Sequence, residues 1–178
     1  NTTGANNVAM GDSSLSSNTT ASNNTALGRA TLNSNTTGSD NTAVGFQSLL
    51  LNTTGAKCTA VGKNSLVNNT TANNNTAVGH DALNANTTGT ENTAVGYQAL
   101  DANTTGDDNN AFGRDALGGV TTGSKNTAVS AAGSSITTGS NNLCLGYNAG
   151  SSASPSGSIT TGSNNVVLGD NNISSLFC

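Results

Sequence analysis

The chain has 178 residues, a length typical of one domain or two, and its composition excludes several functional classes. Only 8% of the residues are charged, and the formal net charge is −4. This balance does not fit a highly charged disordered chain, and the five Lys and Arg residues form no basic cluster that would attract nucleic acid or an anionic membrane. No apolar run approaches the roughly 18 residues of a membrane-spanning helix, so we expect no membrane insertion.

The first element along the chain is a glycine that recurs with a strict 17-residue period. Its seven copies are Gly11, Gly28, Gly45, Gly62, Gly79, Gly96 and Gly113. A leucine follows at the fourth position after each of them, as Leu15, Leu32, Leu49, Leu66, Leu83, Leu100 and Leu117. A fixed period of this kind predicts a repeat architecture in which each unit stacks on its neighbours.

Each 17-residue unit contains the same short elements. An Asn-Thr-Thr-Gly corner, in which Ala21 and Ala72 replace the glycine in two units, precedes a strand of the type Asn-Thr-Ala-Val-Gly, and a second short stretch then ends at the leucine. The β-branched Thr and Val and the frequent glycine favour strands and tight corners. The sequence therefore predicts an all-β fold, a parallel β-solenoid or β-roll of about ten 17-residue coils. Identical Asn and Thr residues are expected to form hydrogen-bonded ladders along the stack.

The regular spacing ends after about residue 119. Ser130 and Ser134 replace the glycine and the leucine of the eighth coil, the next step is shorter by one residue, and the following coil gains six residues. We place this gain in an insertion loop at residues 151–158, which contains Pro155, the only proline. The repeat region is expected to span residues 1–169. Because the chain begins within a repeat unit, we expect it to be part of a longer protein, with the non-repeat segment 170–178 leading into a downstream domain.

Alternation within each strand separates a Thr/Val face from an Asn/Ala face. The first and last copies carry two large apolar residues on the former face, so we predict that the Thr/Val face is the interior. The leucine column is predicted to share this core. The predicted core positions of the strands are Val8, Met10, Leu27, Val44, Val61, Val78, Val95, Phe112, Val129, Leu145 and Leu168.

Residues suited to catalysis or metal binding are few. His80 is the only histidine, and the glycines follow the coil period instead of a phosphate-binding pattern. We therefore expect neither an enzyme nor a cofactor or metal site. Cys58, Cys144 and Cys178 lie in different columns, too far apart for an intrachain disulfide, and are expected to be small buried or half-buried thiols. A bridge between copies of Cys178 in an oligomer is left open.

One column of the repeat collects large and charged side chains. The residue after each strand glycine is Arg29, Phe46, Lys63, His80, Tyr97, Arg114 or Tyr147 in the coils that carry such a side chain, and we call this column the stripe. Stacked coils bring neighbours in a column about 4.8 Å apart, which predicts two groups with cation–π support, Arg29–Phe46–Lys63 and His80–Tyr97–Arg114. The stripe either contacts a glycan or protein on a host cell or is a solvated corner that tolerates any residue.

Each coil offers few side chains for burial, roughly one Val, one Leu and an Ala or two. This burial falls short of the backbone entropy that ordering a coil costs. We therefore expect several chains to associate, intertwined or side by side in a parallel homotrimer, which would also cover open strand edges. A monomeric solenoid is the alternative.

The strand unit resembles known repeats. Asn-Val-Ala-Met-Gly (7–11), Asn-Thr-Ala-Val-Gly (41–45 and 92–96) and Asn-Val-Val-Leu-Gly (165–169) resemble the repeat of trimeric autotransporter adhesin heads, which are β-rolls with a shorter repeat. The fuller unit Asn-Thr-Ala-Val-Gly-Tyr-Gln-Ala-Leu with Asn-Thr-Thr-Gly is similar to repeats of bacteriophage tail fibres, which commonly end in a self-cleaving intramolecular chaperone domain. Residues 169–176 are similar to the junction before such a domain.

These resemblances imply a structural and adhesive role. The expected protein is a homotrimeric tail-fibre segment of a virion that supports or forms host-receptor binding. A bacterial trimeric surface adhesin head, which is also extracellular, is the alternative. An ice-binding solenoid is a hypothesis of another class. It depends on the paired corner threonines Thr36-Thr37, Thr53-Thr54, Thr87-Thr88 and Thr104-Thr105, which would form a regular outward array.

Overall fold

The structure is a computed structural model that describes residues 2–151, 157–170 and 172. In this part of the chain there are ten strands of three residues each and no helix. The strands β1 to β10 are Val8–Met10, Thr25–Leu27, Thr42–Val44, Thr59–Val61, Thr76–Val78, Thr93–Val95, Asn110–Phe112, Thr127–Val129, Leu143–Leu145 and Val166–Leu168. They form one parallel sheet in chain order. The predicted all-β parallel β-solenoid is confirmed, and its ten stacked strands occupy about 48 Å.

The register of the sheet follows the sequence period. From β1 to β8 each residue pairs with its counterpart one repeat later, as Val78 does with Val95. Leu143 then pairs with Thr127 across a shortened step and with Val166 across a lengthened one. The chain leaves the regular path after Gly150 and returns at Ile159, whose N–H donates to the Gly150 carbonyl at 3.1 Å. The extra residues therefore lie between these two positions, and 152–156 are outside the described residues, as are 171 and 173–178.

Alanine and leucine fill the interior. The middle residue of each strand points inward, and from Ala26 to Ala128 every one of these alanines is fully buried. The leucine column reaches the same space from the opposite wall and is buried from Leu15 to Leu117. The prediction that these seven leucines belong to the core is confirmed.

The prediction that the Thr/Val face is the interior is wrong. The first and third residues of each strand point away from the core: Val78 and Val129 are 36% and 44% exposed, whereas Ala77 and Ala128 beside them are fully buried. In coils two to seven the enclosed space is narrow, because a fully buried leucine and the fully buried alanine at the middle of the strand share it. We call the outward side chains of β1 to β10 the sheet face. All eleven strand positions predicted as core lie on it, exposed or half-buried: Val8, Met10, Leu27, Val44, Val61, Val78, Val95, Phe112, Val129, Leu145 and Leu168.

Two columns of buried asparagine hold successive coils together. In the column before the strands, the Asn92 amide donates to the Gly106 carbonyl at 2.8 Å, and its Oδ1 accepts the backbone N–H of Asn109 at 2.9 Å. In the column before the threonine pair, the Asn86 amide donates to Asn69 Oδ1 and to the Gly89 carbonyl, both at 3.0 Å. Threonine adds a third ladder, in which hydroxyls such as that of Thr36 donate to the carbonyl one coil on. The predicted Asn and Thr ladders are confirmed.

The first ladder is interrupted at Cys58, which stands where the other regular coils carry asparagine. The Cys58 N–H still donates to Asn41 Oδ1 at 2.9 Å, but the next N–H, that of Asn75, faces sulfur, a weak acceptor. Burial raises the pKa of the Cys58 thiol from 9.0 to about 11, an effect that the backbone N–H groups of Asn75 and Asn74 oppose only in part. Cys144 is also a buried free thiol, and Cys178 lies outside the described residues.

We expect Cys58→Asn to stabilise the protein by about 1 kcal/mol, because it restores a buried amide acceptor for the Asn75 N–H. The difference in stability between Cys58→Asn and the wild type should increase at alkaline pH. A thiol whose pKa is raised on folding gives stability that is fully present below its unfolded pKa and is lost as the pH rises through the folded value of about 11. Urea unfolding at pH 7 and pH 10 measures both effects. A variant no more stable than wild type at pH 7 would contradict the ladder interpretation.

The buried leucines have an unusual backbone. Leu83 has φ +50° and Leu100 has φ +52°, in the left-handed region that side chains branched at Cβ strongly avoid. Leu83→Ile conserves volume, but we expect it to cost about 2 kcal/mol through backbone strain. Leu83→Met is the matched control, since methionine is unbranched at Cβ and should cost less than about 1.5 kcal/mol. The midpoints of urea unfolding measure the stability that each variant loses. Equal losses in the two variants would mean that the left-handed backbone does not decide which side chains fit at Leu83.

Candidate functional site

The stripe is held by backbone hydrogen bonds between successive coils, in which the carbonyl of a stripe residue is the acceptor. The Tyr97 carbonyl accepts the N–H of Asp115 at 2.9 Å, and the His80 carbonyl accepts that of Gln98 at 3.0 Å. The same link joins the other regular coils, so the Cα positions of the stripe are set by the solenoid. Most of the side chains are exposed, with Tyr97 at 48% and Tyr147 at 65%, whereas Phe46 and His80 are half-buried.

Two of the predicted stacking contacts are present. The Arg29 guanidinium lies 5.5 Å from the centroid of the Phe46 ring, and the rings of His80 and Tyr97 are stacked with centroids 5.6 Å apart and planes 20° apart. Each predicted group of three is therefore realised as a pair. In the described chain neither Lys63 nor Arg114 makes a cation–π contact, so that part of the prediction is wrong.

Carboxylates compete for the cations of the stripe. Arg114 Nε lies 2.9 Å from Asp115 Oδ2, which explains why this guanidinium does not cover Tyr97. His80 Nδ1 lies 2.9 Å from Asp81 Oδ2, a contact that becomes an ion pair when the imidazole is protonated. Burial raises the pKa of the nearby Asp101 carboxyl, and repulsion from the Asp115 and Asp81 carboxylates raises it further.

A second column of polar residues runs beside the stripe. Its members have φ between 52° and 59°, which favours Asn and Asp, and they include Gln47, Asn64, Asp81, Gln98 and Asp115. Backbone geometry alone therefore accounts for part of this composition. The result is nevertheless a set of amide and carboxylate groups next to the aromatic rings of the stripe.

This arrangement offers an open surface. No cavity is detected in the described parts of the chain, and no group of three or more His, Cys, Asp or Glu side chains there could hold a metal ion. No helix that could span a membrane occurs in those residues either. Tyr147 stands apart from the other rings of the stripe, because the two intervening coils carry Arg114 and Ala131 in this column. A ligand would therefore meet separate aromatic platforms along an edge.

Sequence reasoning missed the sheet face as a surface. A usable signal was present, because the third strand position varies among Met, Leu, Val and Phe while the middle position is alanine in coils two to eight. Variation in side-chain size within a stack of identical coils fits an outward position, where packing sets no limit. The chain matches no protein-family model, and no curated protein or solved structure matches it.

Proposed function

We propose that this chain is a structural and adhesive fibre segment, a self-associating rod that presents the stripe to a glycan or protein on a host cell. A bacteriophage tail fibre in the virion is the form of this proposal that the sequence resemblance favours, and a bacterial surface adhesin would use the same geometry. The observation that carries the proposal is the exposed aromatic and cationic stripe along one edge of a stack of hydrogen-bonded coils.

Surface chemistry favours a carbohydrate as the ligand. Aromatic rings provide flat apolar platforms, and Tyr97 and Tyr147 each add a hydroxyl at the outer end. The adjoining column provides amides and carboxylates, such as those of Gln98 and Asp115, that can bind sugar hydroxyls. An extended polysaccharide would meet this combination repeatedly as it runs along the rod.

The test compares binding to immobilised bacterial lipopolysaccharides and capsular polysaccharides. We expect the wild-type chain to bind at least one of them and the combined variant Phe46→Ser, Tyr97→Ser, Tyr147→Ser to lose affinity about tenfold or more. The matched control Thr37→Ser with Thr88→Ser alters another exposed column and should leave binding unchanged. Circular dichroism confirms that each variant is folded. Unchanged binding by the aromatic variant would refute the stripe as the contact.

Ice binding is the second candidate, favoured by one column. The second threonine of each corner is exposed throughout, including Thr37, Thr54 and Thr88. The first is less suitable, because hydroxyls such as that of Thr36 donate to the next coil and are not free to order water. The outward threonine array is therefore a single column at this corner. We expect no thermal hysteresis, and a clear hysteresis gap lost in Thr54→Lys would replace the adhesive proposal.

A further inference from the structure

The exposed apolar side chains of this protein are concentrated on one surface. Eleven large hydrophobic residues are exposed in the described chain, and eight of them belong to the sheet face. Two others, Tyr97 and Tyr147, are in the stripe, and only Leu51 lies elsewhere. The eight are Val8, Met10, Leu27, Val78, Phe112, Val129, Val166 and Leu168. An extended apolar surface of this kind marks an interaction site.

The sheet face also has no charge along its length. Its two columns contain only Val, Thr, Asn, Leu, Met and Phe, whereas every Asp, Glu, Lys and Arg lies in other columns. At each end the threonine of the first column gives way to an apolar residue, Val8 in β1 and Leu143 and Val166 in β9 and β10. A charged ligand therefore finds no opposite charge on this face, whereas an uncharged apolar surface of the same composition can pack against it.

Hydroxyl groups on the face are not used by the chain itself. In the described residues no hydrogen bond is made by the hydroxyls of the strand threonines, in contrast to the corner threonines, which donate to backbone carbonyls. The strand threonines are Thr25, Thr42, Thr59, Thr76, Thr93 and Thr127. They can pair with each other across a contact between two copies, where donor and acceptor are the same group.

We propose that the sheet face is the surface through which copies of this chain pack together, parallel and in register, around a shared axis. The face measures about 48 Å by about 10 Å, so a two-copy contact would bury about 960 Å² in total, near the lower limit of about 1,000 Å² for a specific interface. Extending the contact to the strand glycine and the base of the stripe raises it to about 1,500 Å². Identical coils on each copy match strand for strand along the whole rod. This inference rests on the proposed self-association and adds which face forms it.

Cysteine placement tests the face directly. In a Cys178→Ser background, Val78→Cys puts a thiol on the sheet face, and Thr88→Cys puts one on the exposed corner column, while the native Cys58 and Cys144 are buried. Under mild oxidation we expect Val78→Cys to form disulfide-linked dimers within the oligomer and Thr88→Cys to remain monomeric on a non-reducing gel. The reverse pattern would overturn the proposed face and leave self-association standing.

A second test of the sheet face introduces charges and does not depend on disulfide formation. The combined variant Val61→Asp, Val78→Asp, Val95→Asp should convert the wild-type oligomer to a monomer in light scattering, with an unchanged circular dichroism spectrum because these side chains point away from the core. The control Thr54→Asp, Thr71→Asp, Thr88→Asp stacks the same three charges in neighbouring coils on the exposed corner column and should stay oligomeric. An oligomer that survives the three charges would overturn the inference alone, whereas a monomeric wild-type chain would overturn the proposed self-association as well.

Discussion

Gly96→Ala is expected to destabilise the protein by about 4 kcal/mol, of which backbone strain costs about 2 kcal/mol and steric overlap about as much again. Gly96 has φ +140°, and a Cβ added there would lie 2.4 Å from the Gly113 carbonyl oxygen and 2.6 Å from its carbon. Both are backbone atoms of the next coil, and the N–H of Gly113 is itself bonded to the Val95 carbonyl at 2.8 Å, so they cannot move aside alone. Urea unfolding followed by circular dichroism measures the loss.

Gly118→Ala is the matched control for this substitution. Gly118 lacks a positive φ, and its added Cβ would meet nothing closer than 3.3 Å. Its column carries Asp101 in the preceding coil, so a side chain is accommodated there, and the change should stay within about 0.5 kcal/mol. The chain itself tolerates a side chain in the glycine column only at Ser130, with φ +75°. Equal stability of the two alanine variants would refute the steric argument.

Strand pairing and the leucine core could be predicted from the sequence, because both follow from the repeat period alone. Residues one period apart must lie side by side if the coils stack, so Val78 pairs with Val95 whatever the coil's cross-section is. A leucine at every turn has no stable place outside such a stack. The period also shows where the register changes, at the short step before β9 and the long one before β10.

The side of the strand that faces inward could not be derived from hydrophobicity. Alternation separates Ala94 from Thr93 and Val95, and valine is the more apolar choice for a core. The coil is too narrow for it, since Leu100 already fills the interior, and Ala94 is the fully buried residue. Available volume decides the orientation here, and volume depends on the corners, whose left-handed residues such as Gln98 no hydrophobic pattern reveals.

The location of the stripe could be predicted, but its contacts could not. The column after the glycine necessarily forms one line on a stacked solenoid, and its exposure follows from the corner. Which neighbours touch depends on competition between side chains, as when Asp115 takes the Arg114 guanidinium away from Tyr97. That competition involves the adjoining column, so it cannot be read from the stripe residues alone.

Asn86→Asp is expected to destabilise the rod by about 4 kcal/mol at pH 7, because an uncompensated charge in a protein interior costs about 3–5 kcal/mol. The substitution only replaces one nitrogen by oxygen. Asn86 is fully buried, and its amide donates to Asn69 Oδ1 and to the Gly89 carbonyl, both at 3.0 Å. A carboxylate would place an acceptor against these two acceptors and a charge in the core. Chemical denaturation at pH 7 measures the loss.

Measuring stability as a function of pH separates the effect of the buried charge from the effect of the lost hydrogen bonds. Burial should raise the pKa of the introduced carboxyl, so its folded form binds a proton more readily than its unfolded form. The defect is then smallest below the unfolded pKa of about 3.9 and grows as the pH rises through the raised folded value. Asn86→Ala loses the same hydrogen bonds without a charge and should show no such pH dependence. Asn74→Asp lies in an exposed column that already carries Asp40 and Asp108, so it should leave the free energy of unfolding nearly unchanged. A loss of stability in Asn86→Asp that becomes larger as the pH falls would contradict the role of the buried amide ladder.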